Sequence, residues 1–297
     1  MRRRGVARDA ADAWTTPSRP TPRDDVERYG VARAQWIFKD EAAQVSARPA
    51  LQIRLLGPLT VHRNGEPLPL PASRKLQALL ALLVLSPAPI PRSRLCELLW
   101  ERPSDPRGEL RWCLSKLRGL VDDAQHKRIH AAGDAIGFDG SECDVDTSEL
   151  ERASTQDVTT LSPNARRRLA MRHAGDLLEG LAIDRCPQFE SWLAGQRRRY
   201  RRMHAQLLHA LAGCVPDDEA SGYVERWLQI EPFEPQAHAL LLAALMRHYR
   251  IREAKEHVDV ATRMFEAEGL DARALRDAWR SARSSAAALR EPLELVA

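Results

Sequence analysis

Four apolar residues, Leu110, Leu114, Leu117 and Val121, recur at spacings of four, three and four just after Asp105-Pro106. No other pattern in the chain constrains its fold as strongly. Such spacing lines one face of an α-helix. Asp105 is placed to cap it, and Pro106 at the first helical position gives up no intrahelical hydrogen bond. Around this narrow apolar stripe stand Arg107, Arg111, Trp112, Ser115, Lys116 and Arg118. The helix is therefore buried on one side and basic elsewhere.

Its flanks set the context. Upstream, Leu51–Leu56 and Leu59–Arg63 read as short strands separated by Gly57-Pro58. Asn64-Gly65 is a hairpin turn because both residues tolerate positive φ, and Pro67 to Leu70 returns as an edge strand. Ser73 caps a helix through Leu85, with Leu76, Leu79, Leu80, Leu83 and Val84 at helical spacing. Ser86-Pro87-Ala88-Pro89 stops it, and a second helix runs from about Arg92 to Trp100. Downstream, Arg128-Ile129-His130 and Ile136-Gly137-Phe138 flank a turn at Gly133-Asp134 and form a further hairpin. A hairpin, three compact helices and a closing hairpin are the parts of a winged helix-turn-helix.

The rest of the chain is organised differently. Residues 1–49 are rich in Arg, Asp, Ala and Pro, with Thr16-Pro17-Ser18-Arg19-Pro20 as a loop signal. They bury too little apolar surface to offset the entropy of ordering, so a disordered basic leader is expected, with at most a short helix over 26–43. Beyond Val145 the pattern is helical, with helices expected near 164–180, 187–213, 218–230, 234–249, 251–267 and 271–290. Antiparallel helices of this length suggest an α-hairpin solenoid, and Tyr223 to Glu268 holds a tetratricopeptide-like pair. The expected fold class is mainly α with a small β component. Three segments follow: leader 1–49, winged helix-turn-helix 50–145, all-α helical domain 146–297.

Composition narrows the function classes. The longest apolar run, Ala78 to Leu85, is too short to span a bilayer, so no membrane partner is expected. Met1-Arg2-Arg3-Arg4 is followed by no apolar segment, which excludes a secretory signal and points to the cytoplasm. The five cysteines lie far apart without metal spacing, as reduced and mostly buried thiols do. The net charge of +4 divides as +3 over 1–49, +2 over 50–145 and −1 over 146–297. So slight a surplus does not by itself mark nucleic acid; the placement of Arg and Lys on particular helices does. Phosphate-binding, dinucleotide-binding, zinc-protease and nucleophile-elbow motifs are all missing from the sequence. No catalytic residue, cofactor or metal is expected.

Seven phrases in order then carry a resemblance. LQIRLLGPLTVHRNGEPLPL, RKLQALLALLVL, RLCELLW and LRWCLSKLRGLV are followed by GDLLEGL with FESWLAGQRRRY, and by LQIEPFEPQAHALLLAALMRHYR. Together they resemble the SARP-type bacterial transcriptional activators, which join an OmpR/PhoB-like winged helix to a bacterial transcriptional activator domain. The likeness spans residues 51 to about 290. It implies an activator that binds promoter repeats on double-stranded DNA, pairs as a homodimer there and contacts RNA polymerase holoenzyme. Relatives often continue into an ATPase module; this chain ends before one, so nucleotide hydrolysis is not expected. Pro91 stands where the family has a Ser or Thr cap, Trp112 and Cys113 where a smaller aliphatic and a His are usual, and Gly119 where a basic residue is common.

A helix in the major groove needs donors aimed at base edges and phosphates. Arg111 and Lys116 suit base edges, because both pair with guanine O6 and N7. Ser115 serves a base or a phosphate. Trp112 either presses on a thymine methyl or packs between helix and sugar. Arg107 and Arg118 near the helix ends suit phosphates, as do Arg74 and Arg92 on the neighbouring helices and Arg128 on the wing. By the resemblance, Trp100 matches a tryptophan close to the DNA backbone, though Trp100 and Trp112 each read first as part-buried packing residues. The basic run Arg197 to Arg202 reads as a helix exterior with some arginines packed against acids of the DNA-binding part. Phe189, Trp192, Tyr223, Trp227 and Phe233 read as core. The competing class is a helical-repeat scaffold whose winged helix binds protein instead of DNA.

Overall fold

The computed structural model describes residues 50–101, 105–155 and 157–288; the leader and its short helix lie outside them. The chain enters as a meander of β1 (Leu51–Arg54), β2 (Thr60–Arg63) and β3 (Glu66–Leu68). Leu51 and Ile53 alternate inward, and Ile53 faces Val61 across the antiparallel pair. Asn64 and Gly65 adopt φ of 54° and 88°, the left-handed pair that a tight hairpin turn requires. A strand the pattern did not reveal, β7 (Cys143–Val145), closes the sheet in the order β3-β2-β1-β7 and runs parallel to β1. At three residues it is too short to show periodicity.

Three helices follow the meander: α1 (Arg74–Leu85), α2 (Arg92–Leu99) and α3 (Pro106–Val121). Ser73 caps α1, its hydroxyl accepting from the Leu76 amide at 3.4 Å. Pro91 offers α2 no side-chain cap. The Arg92 amide donates instead to the Asp134 carbonyl at 2.9 Å. Asp134 sits in the turn between β5 (Ile129–Ala132) and β6 (Ala135–Phe138), so the wing itself caps α2. With β4 (Ile90–Pro91) these strands form a second sheet, β4-β6-β5.

The remaining chain is helical: α4 (Asp146–Thr155), α5 (Pro163–Arg172), α6 (Pro187–Ala212), α7 (Asp217–Ile230), α8 (Pro235–Arg247), α9 (Ile251–Ala267) and α10 (Arg273–Ala288). Helices α6 to α10 pack in succession, and α10 folds back on α8. The helix expected over 164–180 ends at Arg172. Its continuation is claimed by the β1–β2 turn: Ala174 donates to the Leu56 carbonyl at 3.2 Å and Leu178 to that of Leu55 at 2.8 Å. Gly57 in turn donates to the Asp176 carbonyl at 2.9 Å. α4 also escaped the periodicity, being short and mostly polar. Its first residue, Asp146, is buried and accepts from the Leu55 and Leu56 amides, each at 2.9 Å. A winged helix followed by an all-α helical domain is the architecture. No described helix is long and apolar enough to cross a membrane.

Candidate nucleic-acid interface

α3 is the centre of the site. The Asp105 carboxylate accepts from the Gly108 amide at 2.8 Å, Glu109 lies in the first turn and Arg118 in the last. That charge order suits the helix dipole. Leu110, Cys113, Leu114, Leu117 and Val121 are buried. The opposite side carries Gly108, Trp112, Ser115 and Gly119, again at spacings of four, three and four. Trp112 is 52% exposed, with the Lys116 ammonium 5.8 Å from its ring centroid.

Beside this stripe four guanidinium groups gather. Arg92 from the start of α2 joins Arg107, Arg111 and Arg118 of α3 around a concavity of about 470 Å³, floored by Leu110 and Leu114. Arg111 is held 3.7 Å from the Asp105 carboxylate and Arg92 4.0 Å from that of Asp134. Exposed pairs at such distances are worth little and exchange readily for a stronger anion. Arg118 donates to the Ile129 carbonyl at 3.4 Å and so ties α3 to the wing. The role of Arg92 in holding both the wing turn and this concavity rests on a contact between segments about forty residues apart. Nothing local announces it.

Three sequence-expected residues stand elsewhere. Arg128 is 2% exposed. Its guanidinium donates to the Val121 carbonyl at 2.7 Å, the Asp123 carboxylate at 2.8 Å and Cys143 Sγ at 3.2 Å. It closes the end of α3 and is not offered to a phosphate; in return it holds the Asp123 carboxyl well below the usual range. Trp100 is 6% exposed, packed in the core with the Lys75 ammonium 5.8 Å from its ring. Arg74 is turned to the helical part, donating to the carbonyls of Gly180 and Ala182 at 3.1 and 3.3 Å. Arg74 and Trp100 make these contacts with residues far along the chain, whereas Arg128 is buried by residues five to fifteen positions away.

The basic run of α6 behaves similarly. Arg197 donates to the Leu177 and Leu178 carbonyls at 2.9 and 2.7 Å, Arg199 pairs with Glu151 at 2.9 Å, and Arg201 pairs with Asp176. Those acids belong to the helical part, not to residues 50–145 as expected. Phe189, Tyr223 and Trp227 are buried, while Trp192 and Phe233 are half-buried against the same core. Among the described residues no group of three or more His, Cys, Asp or Glu could hold a metal ion.

Fold and site together define a class: a winged helix with an arginine-flanked third helix, joined to a domain of α-hairpins. A solved structure of Mycobacterium tuberculosis EmbR in complex with a low-affinity phosphopeptide has this architecture. It superposes with a TM-score of 0.59 at 22% identity, over 82% of this chain and 71% of that one. The shared property is the fold. No family model matches the chain, and no curated protein matches it.

Proposed function

We propose that this chain is a sequence-specific DNA-binding transcriptional regulator whose third helix enters the major groove. The concavity formed by Arg92, Arg107, Arg111 and Arg118 beside an exposed helix face carries the reading. Four cations converge there with two weak acid partners among the described residues, an arrangement suited to backbone phosphates. An activating role, binding to promoter repeats as a pair and contact with RNA polymerase follow from the resemblance to SARP-type activators. They belong to the same proposal.

The test is selection of genomic fragments by the purified protein, followed by titration of the enriched duplex across a salt series. Phosphate contacts release counterions, so affinity falls steeply with salt, and each lost contact lowers the slope by about one unit. The double variant Arg107→Ala/Arg111→Ala is expected to lower the slope by about two units. If no fragment is enriched, the chain is instead a scaffold whose winged helix binds protein.

A further inference from the structure

Trp112 is the one large apolar side chain left exposed among the described residues of the winged helix, at 52%. Its neighbours along the outward line of α3 are Gly108, Ser115 and Gly119. A Cβ built on Gly119 would meet nothing within 4 Å. The indole thus stands as a lone knob on a nearly bare helix, and whatever covers it approaches the α3 backbone closely. On one side lies the arginine concavity; on the other, Lys116 with its ammonium 5.8 Å from the ring. The only carboxylate within α3 is Glu109. Glu109 shares the Lys116 flank, so an occupant must be anionic on the arginine side and apolar at its centre. The major groove of duplex DNA fits: phosphates border it, and its floor offers a single apolar group, the thymine C5-methyl.

Resting on the DNA-binding reading, we infer that Trp112 is the specificity-determining residue of α3 and selects thymine methyl groups. On this assignment Arg92, Arg107 and Arg111 position the backbone. Base preference and salt dependence then rest on different residues and are separable by mutation.

Deoxyuridine tests this directly, since it removes the methyl group and keeps the base pair. Each thymine of the selected duplex is replaced in turn, and affinity is measured for the wild type, Trp112→Ala and Arg107→Ala. For the wild type, one or two positions should each lose about four-fold, the worth of one buried methyl group. Trp112→Ala should bind with an unchanged salt slope and be indifferent to deoxyuridine at those positions. Arg107→Ala should keep the deoxyuridine pattern with a shallower slope. Wild-type binding that tolerates deoxyuridine at every thymine would overturn the inference and leave DNA binding intact. So would a deoxyuridine pattern that survives in Trp112→Ala. Failure to select any duplex would remove the DNA-binding reading, and this inference with it.

Discussion

Arg107 and Arg128 carry the same guanidinium to different ends. Arg107 is exposed at the start of α3, whereas Arg128 is 2% exposed and committed to Val121, Asp123 and Cys143. Removing Arg128 leaves the Val121 carbonyl, the last of α3, without its donor. Arg128→Ala should therefore lower unfolding free energy by roughly 2 kcal/mol, a typical loss for charged hydrogen bonds, read from the midpoint of urea denaturation. Arg107→Ala should stay within about 0.5 kcal/mol, as surface substitutions do, while weakening DNA binding on the proposed reading. The residues of α3 were legible because helical periodicity is local: knowing that Leu110, Leu114 and Leu117 face inward places Arg107, Arg111, Trp112, Ser115 and Lys116 outward. Trp100 and Arg128 were not, because burial is a property of neighbours, and neither was the exposed Arg74, whose acceptors are distant. Arg74 meets its acceptor Gly180 at a sequence separation of 106 residues.

Between elements, the seam of β1, β2 and the segment after α5 decides most. Gly57 has φ of 122°, in the region that disfavours side chains, and a Cβ there would stand 3.4 Å from that of Ala174. Gly57→Ala should destabilise the protein by about 1 to 3 kcal/mol, visible as a lowered melting temperature. Where α5 ends, His173 stacks on His204 of α6 with ring centroids 3.6 Å apart, and Arg226 donates to the His173 carbonyl. Burial pushes His173 down to about 4 and His204 further still, with the Arg226 charge adding to the effect. Both histidines thus fold neutral, while the unfolded chain takes up protons below about 6.5. Their contribution is present above that pH and is lost as pH falls toward 4. The slope should approach about 1.4 kcal/mol per pH unit for each proton taken up on unfolding. His204→Phe should flatten this acid limb in urea titrations between pH 7 and 4.

For the molecule as a whole, residues from Leu51 through Ala282 belong to one continuous buried cluster. Asp144 of β7 pairs with Arg54 of β1 and with Arg172 of α5, each at 2.6 Å. Cys186, just before α6, donates its thiol to the Leu99 carbonyl at the end of α2, at 3.2 Å. With apolar surface and ion pairs both shared across the junction, neither part opens without exposing the other. Calorimetry should show one transition, with van't Hoff and calorimetric enthalpies equal; two separated peaks would show that the shared core does not couple the parts. The same coupling fixes α2 against α6 and holds α3 within the larger frame.

Periodicity, caps and turn chemistry settled from the sequence alone that three short helices lie between hairpins, that α3 has one buried and one basic side, and that the chain continues as helices. These are interactions among residues a few positions apart, and their physics is complete within one element. The end of α5, the strand β7, the wing as the cap of α2 and the arrival of Arg92 beside the α3 arginines were decided only by tertiary structure. In each case a backbone group or charge found its partner across the fold, and local pattern carries no record of which distant group arrives.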